Sequence, residues 1–180
     1  MRFLQVAMQH LSLFLLSLVF IGSSFGAPPS KEEAALIKKD INRMLEETKA
    51  FKADFILKKT HPALGKFMGG EENLKEMTAE VMVQLKEAGL EIVSFKVGEP
   101  GDLFAVGKEH FCFVPKDGVM KFGDAKLESK SYMIAIRGAD GKTWTYLDGA
   151  GFNDDPKQIF ELFPEFPKDK KLPEQSMKRL

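Results

Sequence analysis

Trp144, Tyr146 and Asp148 alternate with Thr143, Thr145 and Leu147, so all three fall on one face of an extended strand near the end of the chain. A carboxylate set among aromatic rings loses hydration, which raises its pKa and lets it move a proton at neutral pH. Asp148 is therefore a candidate acid or base, with Tyr132 or Tyr146 as the hydrogen-bond donor beside it. The competing reading of Asp148 is a turn-forming residue ahead of Gly149. His61 is the second candidate base. It also precedes Pro62 at a helix start, where a ring nitrogen serves as a cap or packing partner. His110 alternates with Phe111 and so points the other way, toward the surface.

Other chemistries find little in the chain. Cys112, the sole cysteine, sits in the apolar run Phe111 to Val114 and reads as a small buried hydrophobe rather than a nucleophile; it has no partner for an intramolecular disulfide. His61 and His110 stand apart, without H-x-H or H-E-x-x-H spacing, so no metal site is expected. Asn153, Asp154 and Asp155 lack the spaced ligands of a calcium hand, and Asp155 reads as a helix cap. The absence of a phosphate loop, a dinucleotide fingerprint and a nucleophile elbow leads to the expectation of no cofactor. With 26 basic and 26 acidic residues, the charge balance favours neither nucleic acid nor an anionic membrane surface.

These residues must be positioned by an ordered series of elements. Arg2, the apolar run Leu11 to Ile21 and the small residues of Ser24-Phe25-Gly26 read as an export signal over 1–26, with cleavage after Gly26. The apolar run is short for a spanning helix, so no stable membrane insertion is expected after cleavage, and the destination is periplasm or medium. About 155 residues remain, enough for one core. Ser30 and Glu33 form a capping box for a long helix with Ile37, Ile41, Met44 or Leu45, Thr48 and Phe51 inward. Asp54 caps a second helix, Pro62 opens a third, and Gly69-Gly70 ends it. A fourth runs from Glu71 to Ala88 with Leu74, Met77, Val81 and Leu85 inward and Gly89 as its stop.

From Glu91 the apolar period becomes two. Val93, Phe95 and Val97 share a face, Leu103 to Val106 and Glu109 to Val114 follow, and Pro115-Lys116-Asp117-Gly118 reads as a turn. Val119 to Phe122 and Lys126 to Lys130 lead into a hairpin over Ser131 to Gly149, turning at Gly138, Asp140 and Gly141. A short helix then carries Ile159, Phe160 and Phe163. Pro164, Pro167 and Pro173 leave 166–180 as an extended tail after a single domain over 27–165. Helices first and an antiparallel sheet second make an α+β fold, with the helices on one face of the sheet.

The stretch DFILKKTHPALGKFMGG (54–70), followed by a long helix, EIVSFKVGEP and GADGKTWTYLDG, resembles exported bacterial members of the nuclear transport factor two-like superfamily, the cystatin-like cones. The resemblance spans nearly all of the mature chain. It implies a strongly bent antiparallel sheet wrapped about the first helix, leaving a conical cavity. It carries over no catalytic residue, because that superfamily includes isomerases, dehydratases and cyclases beside proteins that only bind. The expected function is an exported, non-enzymatic module holding a small apolar molecule in the cone or a protein partner on the sheet face, with a homodimer through that face as a further partnering. Tyr132, Trp144, Tyr146, Phe111 and Phe113 are the expected ligand-binding residues. The alternative is a cofactor-independent lyase or isomerase using Asp148 or His61.

Overall fold

The computed structural model describes residues 26–152, 155 and 157–180. Residues 1–25 of the expected signal, and Asn153, Asp154 and Pro156, lie outside the described residues. Helix α1 spans Lys31–Lys49. Ser30 Oγ accepts the Glu33 N–H at 3.2 Å and Glu33 Oε2 accepts the Ser30 N–H at 2.9 Å, the reciprocal capping box expected. Glu33 Oε1 also accepts from Arg137 Nη1 at 2.9 Å, which ties the helix start to the sheet. The Ser30 N–H chiefly, and the Arg137 cation after it, hold the Glu33 carboxyl below its usual range against the opposing effect of burial. Phe51, expected on the buried stripe, lies beyond the helix end with φ at 55°.

Helices α2 (Asp54–Lys59) and α3 (Pro62–Phe67) follow. Asp54 is the first helical residue, while Ala53 occupies the cap without a side-chain bond. Gly69 and Gly70, at φ 85° and 132°, end α3 in a region that L side chains avoid. Helix α4 (Glu71–Glu87) buries Met82, with Leu74, Thr78 and Leu85 half-buried. Met77 and Val81, expected inward, are 44% and 45% exposed. An alternative stripe one position on, through Thr78 and Met82, meets the protein instead.

The sheet is antiparallel, with strands β1 (Leu90–Val97), β2 (Phe104–Val106), β3 (Glu109–Phe122), β4 (Ala125–Arg137), β5 (Trp144–Asp148) and β6 (Ser176–Arg179). β3 and β4 pair without a break from His110↔Arg137 to Phe122↔Ala125. On β3's free edge, β1 takes the half near the hairpin turn and β2 the other half; on β4's, β6 and β5 divide it likewise. The sheet is not closed. The expected turn at Pro115 to Gly118 is absent: β3 runs straight through it. Proline is tolerated there because Phe113 and Pro115 turn their carbonyls toward the gap between β1 and β2, where they accept the Gly101 and Gly98 N–H groups at 2.9 and 2.8 Å. In a strand a residue's N and C=O face the same side, so the Pro115 nitrogen faces that gap and β4 loses no hydrogen bond. A register shift between Ile92 and Ser94 moves Val93 out to 44% exposure. Leu90 and Ile92, rather than Val93, share the inner parity with Phe95 and Val97.

Both faces of the sheet carry a core. Inward, Ile37, Ile41 and Met44 of α1 pack on Cys112, Val114, Met133, Ala135, Trp144 and Tyr146. Outward, Phe111, Tyr132, Ile134, Ile136 and Leu147 meet Phe152, Phe163, Phe166 and Ile159 of the short helix α5 (Gln158–Leu162). Phe163 stands edge-on to Phe111 at 4.8 Å between centroids, a favoured aromatic geometry. The helices therefore do not lie on one face alone, because the segment after β5 covers the other. The stretch 166–180 is built into the fold: Phe166 is 2% exposed, and β6 pairs Ser176–Arg179 with β4.

One charge is buried with α1. Asp40 is 6% exposed and accepts the Tyr146 hydroxyl at 3.0 Å, while Lys59 Nζ stands 2.7 Å from the same oxygen. Tyr132 Oη, by contrast, is buried with no hydrogen-bond partner among the described residues. Tyr146→Phe strips a donor from a buried carboxylate and is expected to cost about 1.5–3 kcal/mol, whereas Tyr132→Phe is expected to be neutral or to stabilise by about 1 kcal/mol. Urea midpoints of the two variants check this; equal losses would mean that the Asp40 contact does not separate them.

Candidate functional site

The open ground of the molecule is the inner sheet face beyond the reach of α1. A cleft of about 590 Å³ lies there between Leu45 of α1, Leu85 of α4, Ile92 and Phe95 of β1, Met120 of β3 and Met177 of β6. That volume falls in the ~300–1,000 Å³ range of small-molecule pockets. A smaller pocket of about 190 Å³ continues under α4, lined by Met44, Ile56, Leu74, Thr78, Met133 and Tyr146. Leu45, Lys116 and Asp148 line both spaces and so form the wall between them.

At that wall Lys116 Nζ meets Asp148 Oδ2 at 2.5 Å. The lysine side chain is 15% exposed and the aspartate 51%. Asp148 Oδ1 also accepts the Ala150 N–H at 2.9 Å, the turn-forming role weighed against proton chemistry. The carboxylate thus lies on the cavity face, as strand parity requires, but its direct partners are an ammonium and a backbone N–H rather than aromatic rings.

His61 is engaged on both sides of its ring. It caps α3, Nδ1 accepting the Ala63 N–H at 3.1 Å, and Nε2 lies 3.2 Å from Glu109 Oε1. An Nδ1 that accepts places the ring proton on Nε2, which then donates to Glu109. Phe163 packs against the ring at 5.2 Å. Capping and packing therefore account for both nitrogens, and His61 does not line either space beside Asp148.

The expected ligand-binding set divides across the sheet. Trp144 and Tyr146 face inward: Trp144 is packed in the α1 core, and Tyr146 lines the smaller pocket. Phe111, Phe113 and Tyr132 face outward, in or against the aromatic core. Alternation within each strand is as expected; the pairing Met133↔Asp148 and Ala135↔Tyr146 sets Tyr132 opposite in parity to Tyr146 and Asp148. Tyr132 lines a separate outer pocket of about 320 Å³ with Phe152, Phe160, Lys170, Leu172 and Gln175. Lys116 is the site residue that sequence reasoning missed. The signal was present, since Cys112, Val114 and Lys116 continue one parity, but PKDG reads more readily as a turn.

Among the described residues no three His, Cys, Asp or Glu side chains converge as a metal site, and no helix is long and apolar enough to cross a membrane. Comparison with protein-family models, with curated proteins and with solved structures yields no match.

Three buried groups share one electrostatic tendency. Burial, then the Glu33 charge, pushes the Cys112 thiol up to about 12. Burial, then the Asp148 charge, pushes Tyr132 up to about 12. Burial, then Asp40, raises Tyr146 further in the same direction. Each keeps its proton more tightly folded than unfolded, so their contribution is complete below the ordinary values of 9.0 and 10.0 and is lost as pH climbs through 12. The urea midpoint is expected to hold near pH 8 and fall steadily above pH 9; a midpoint unchanged to pH 12 would contradict the burial of these groups.

Proposed function

We propose that this chain is an exported binding module of the nuclear transport factor two-like, cone-shaped type, which holds a small, largely apolar molecule between α1, α4 and the inner sheet face. The observation that carries the reading is the 590 Å³ cleft, walled by apolar side chains from both helices and from β1, β3 and β6. The export signal read from Arg2, Leu11 to Ile21 and Ser24 to Gly26 supports an extracytoplasmic setting. A long first helix laid against the inner face of an antiparallel sheet accords with the cone that the sequence resemblance implies.

Two further observations favour a cleft ligand over the other readings. The outer face near the β3–β4 turn carries Lys96, Asp117, Lys121, Lys126, Glu128 and Lys130, and the rest of that face is covered by α5 and the chain after it. Such a charged surface suits solvent better than an apolar protein or homodimer interface. For a lyase or isomerase, Asp148 or His61 would need a Tyr132 or Tyr146 hydroxyl free to donate beside it in one cavity, and Asp148 and Tyr146 do both line the smaller pocket. Tyr146 instead donates to Asp40, Tyr132 faces the other side, and His61 is held by Ala63 and Glu109.

The test is binding of an environment-sensitive apolar fluorophore, N-phenyl-1-naphthylamine, to the mature protein. Saturable fluorescence is expected, and Gly118→Leu, which fills the cleft on the inner parity, is expected to weaken it about tenfold with the fold retained. Fluorescence that does not saturate, or that ignores the filled cleft, would refute the reading.

A further inference from the structure

Lys116 is the one lysine of the larger cleft that points into it. Lys130, the other lysine at its wall, stands opposite Asp117 in register, on the outward parity. The Lys116 ammonium therefore sits at the cleft wall with Asp148 Oδ2 as its one anionic partner among the described residues. The two members of that pair are unequal. The cation is the buried one at 15% exposure and needs a counter-charge wherever it stays desolvated; the anion is the exposed one at 51% and is easily hydrated. Asp148 is also held through its other oxygen by the Ala150 N–H, so it can turn away from Lys116 without leaving its place in the chain. A second carboxylate arriving in the cleft could take over the ammonium while Asp148 moves to water, with no charge left buried and unpaired. Ser131, directly across from Lys116 in the β3–β4 register, adds a neutral hydroxyl beside the same spot.

We propose that the ligand is an amphipathic monocarboxylate, its carboxylate on Lys116 in place of Asp148 and its apolar body along the cleft wall formed by Leu45, Ile92, Phe95 and Met120. The assignment rests on the binding-module reading and deepens it by naming the head group. Asp148 acts in it as a built-in competitor: it keeps Lys116 neutralised in the empty protein and yields to the ligand. The two charges therefore have opposite effects on affinity, an asymmetry that a merely structural ion pair does not produce.

Decanoate and 1-decanol share a ten-carbon chain and differ in the charge of the head group, and both can be titrated against bound N-phenyl-1-naphthylamine at pH 8 in the mature protein, with near-ultraviolet circular dichroism from Trp144 as the check on folding. Decanoate is expected to displace the fluorophore at a concentration about tenfold or more below that of decanol. Lys116→Met is expected to erase that advantage and Lys116→Arg to keep most of it. Asp148→Asn, which preserves the Ala150 contact, is expected to widen the advantage several-fold. Equal displacement by acid and alcohol in every folded variant would overturn the carboxylate assignment and leave the cleft standing. A weaker decanoate response in Asp148→Asn would overturn the competitor role and with it the proposal. Failure of the fluorophore to bind would remove the cleft reading and this inference together.

Discussion

The unbroken ladder between β3 and β4 is the constraint on which the other elements depend. Its two strands are longer than any single layer laid over them. At the end near Arg137 the sheet is covered on both sides, by α1 inward and by the aromatic segment after β5 outward. Toward the Gly123 turn neither cover reaches. The outward parity there is charged and can face water, but the inward parity, with Phe95, Met120 and Leu127, is not, and α4 screens it only in part. The cleft is thus the difference between the length of the ladder and the reach of the helices. Its location follows from the same ladder that makes the core.

Within that frame the buried charges fall into two kinds. Asp40 is held from two sides, by Tyr146 and Lys59, and joins α1 to α2 and to β5. Taking away one partner leaves a desolvated carboxylate short of hydrogen bonds, so the cluster fixes how these three elements meet. Lys116 and Asp148 are held loosely by comparison, with one member in water and their contact at the boundary of two spaces. The first arrangement is suited to architecture and the second to exchange.

Much of the helical half is legible in the residues themselves, because its signals are local: the Ser30 and Glu33 box, Pro62 after a histidine cap, and the glycines at 69, 70 and 89 that take positive φ. The final hairpin is legible for the same reason, since Asp140 accepts the N–H groups of Lys142 and Thr143 at 2.9 Å and locks the turn. What escaped reading depends on partners distant in sequence. Pro115 and Gly118 look like a turn until β1 and β2 are seen to leave a gap for the proline. The stripe of α4 is ambiguous because apolar residues occupy both sides of it, and only the position of the sheet selects Met82 over Met77 and Val81. The candidate site divides for a similar reason. Alternation gives the parity within a strand, but whether Tyr132 and Tyr146 share a face is decided by the register between strands.

Pro115 has one further effect. A stretch of strand edge with free N–H groups is a template on which a foreign chain can add and from which fibrous aggregates grow. On β3 such a stretch would open where β1 has ended and β2 has not begun. The proline offers no donor there, and Gly98 and Gly101 already occupy the neighbouring carbonyls. At the gap between β1 and β2 the longest strand of the molecule therefore offers a foreign chain one donor fewer and two carbonyls already occupied, through a residue whose presence there first looks like the end of the strand.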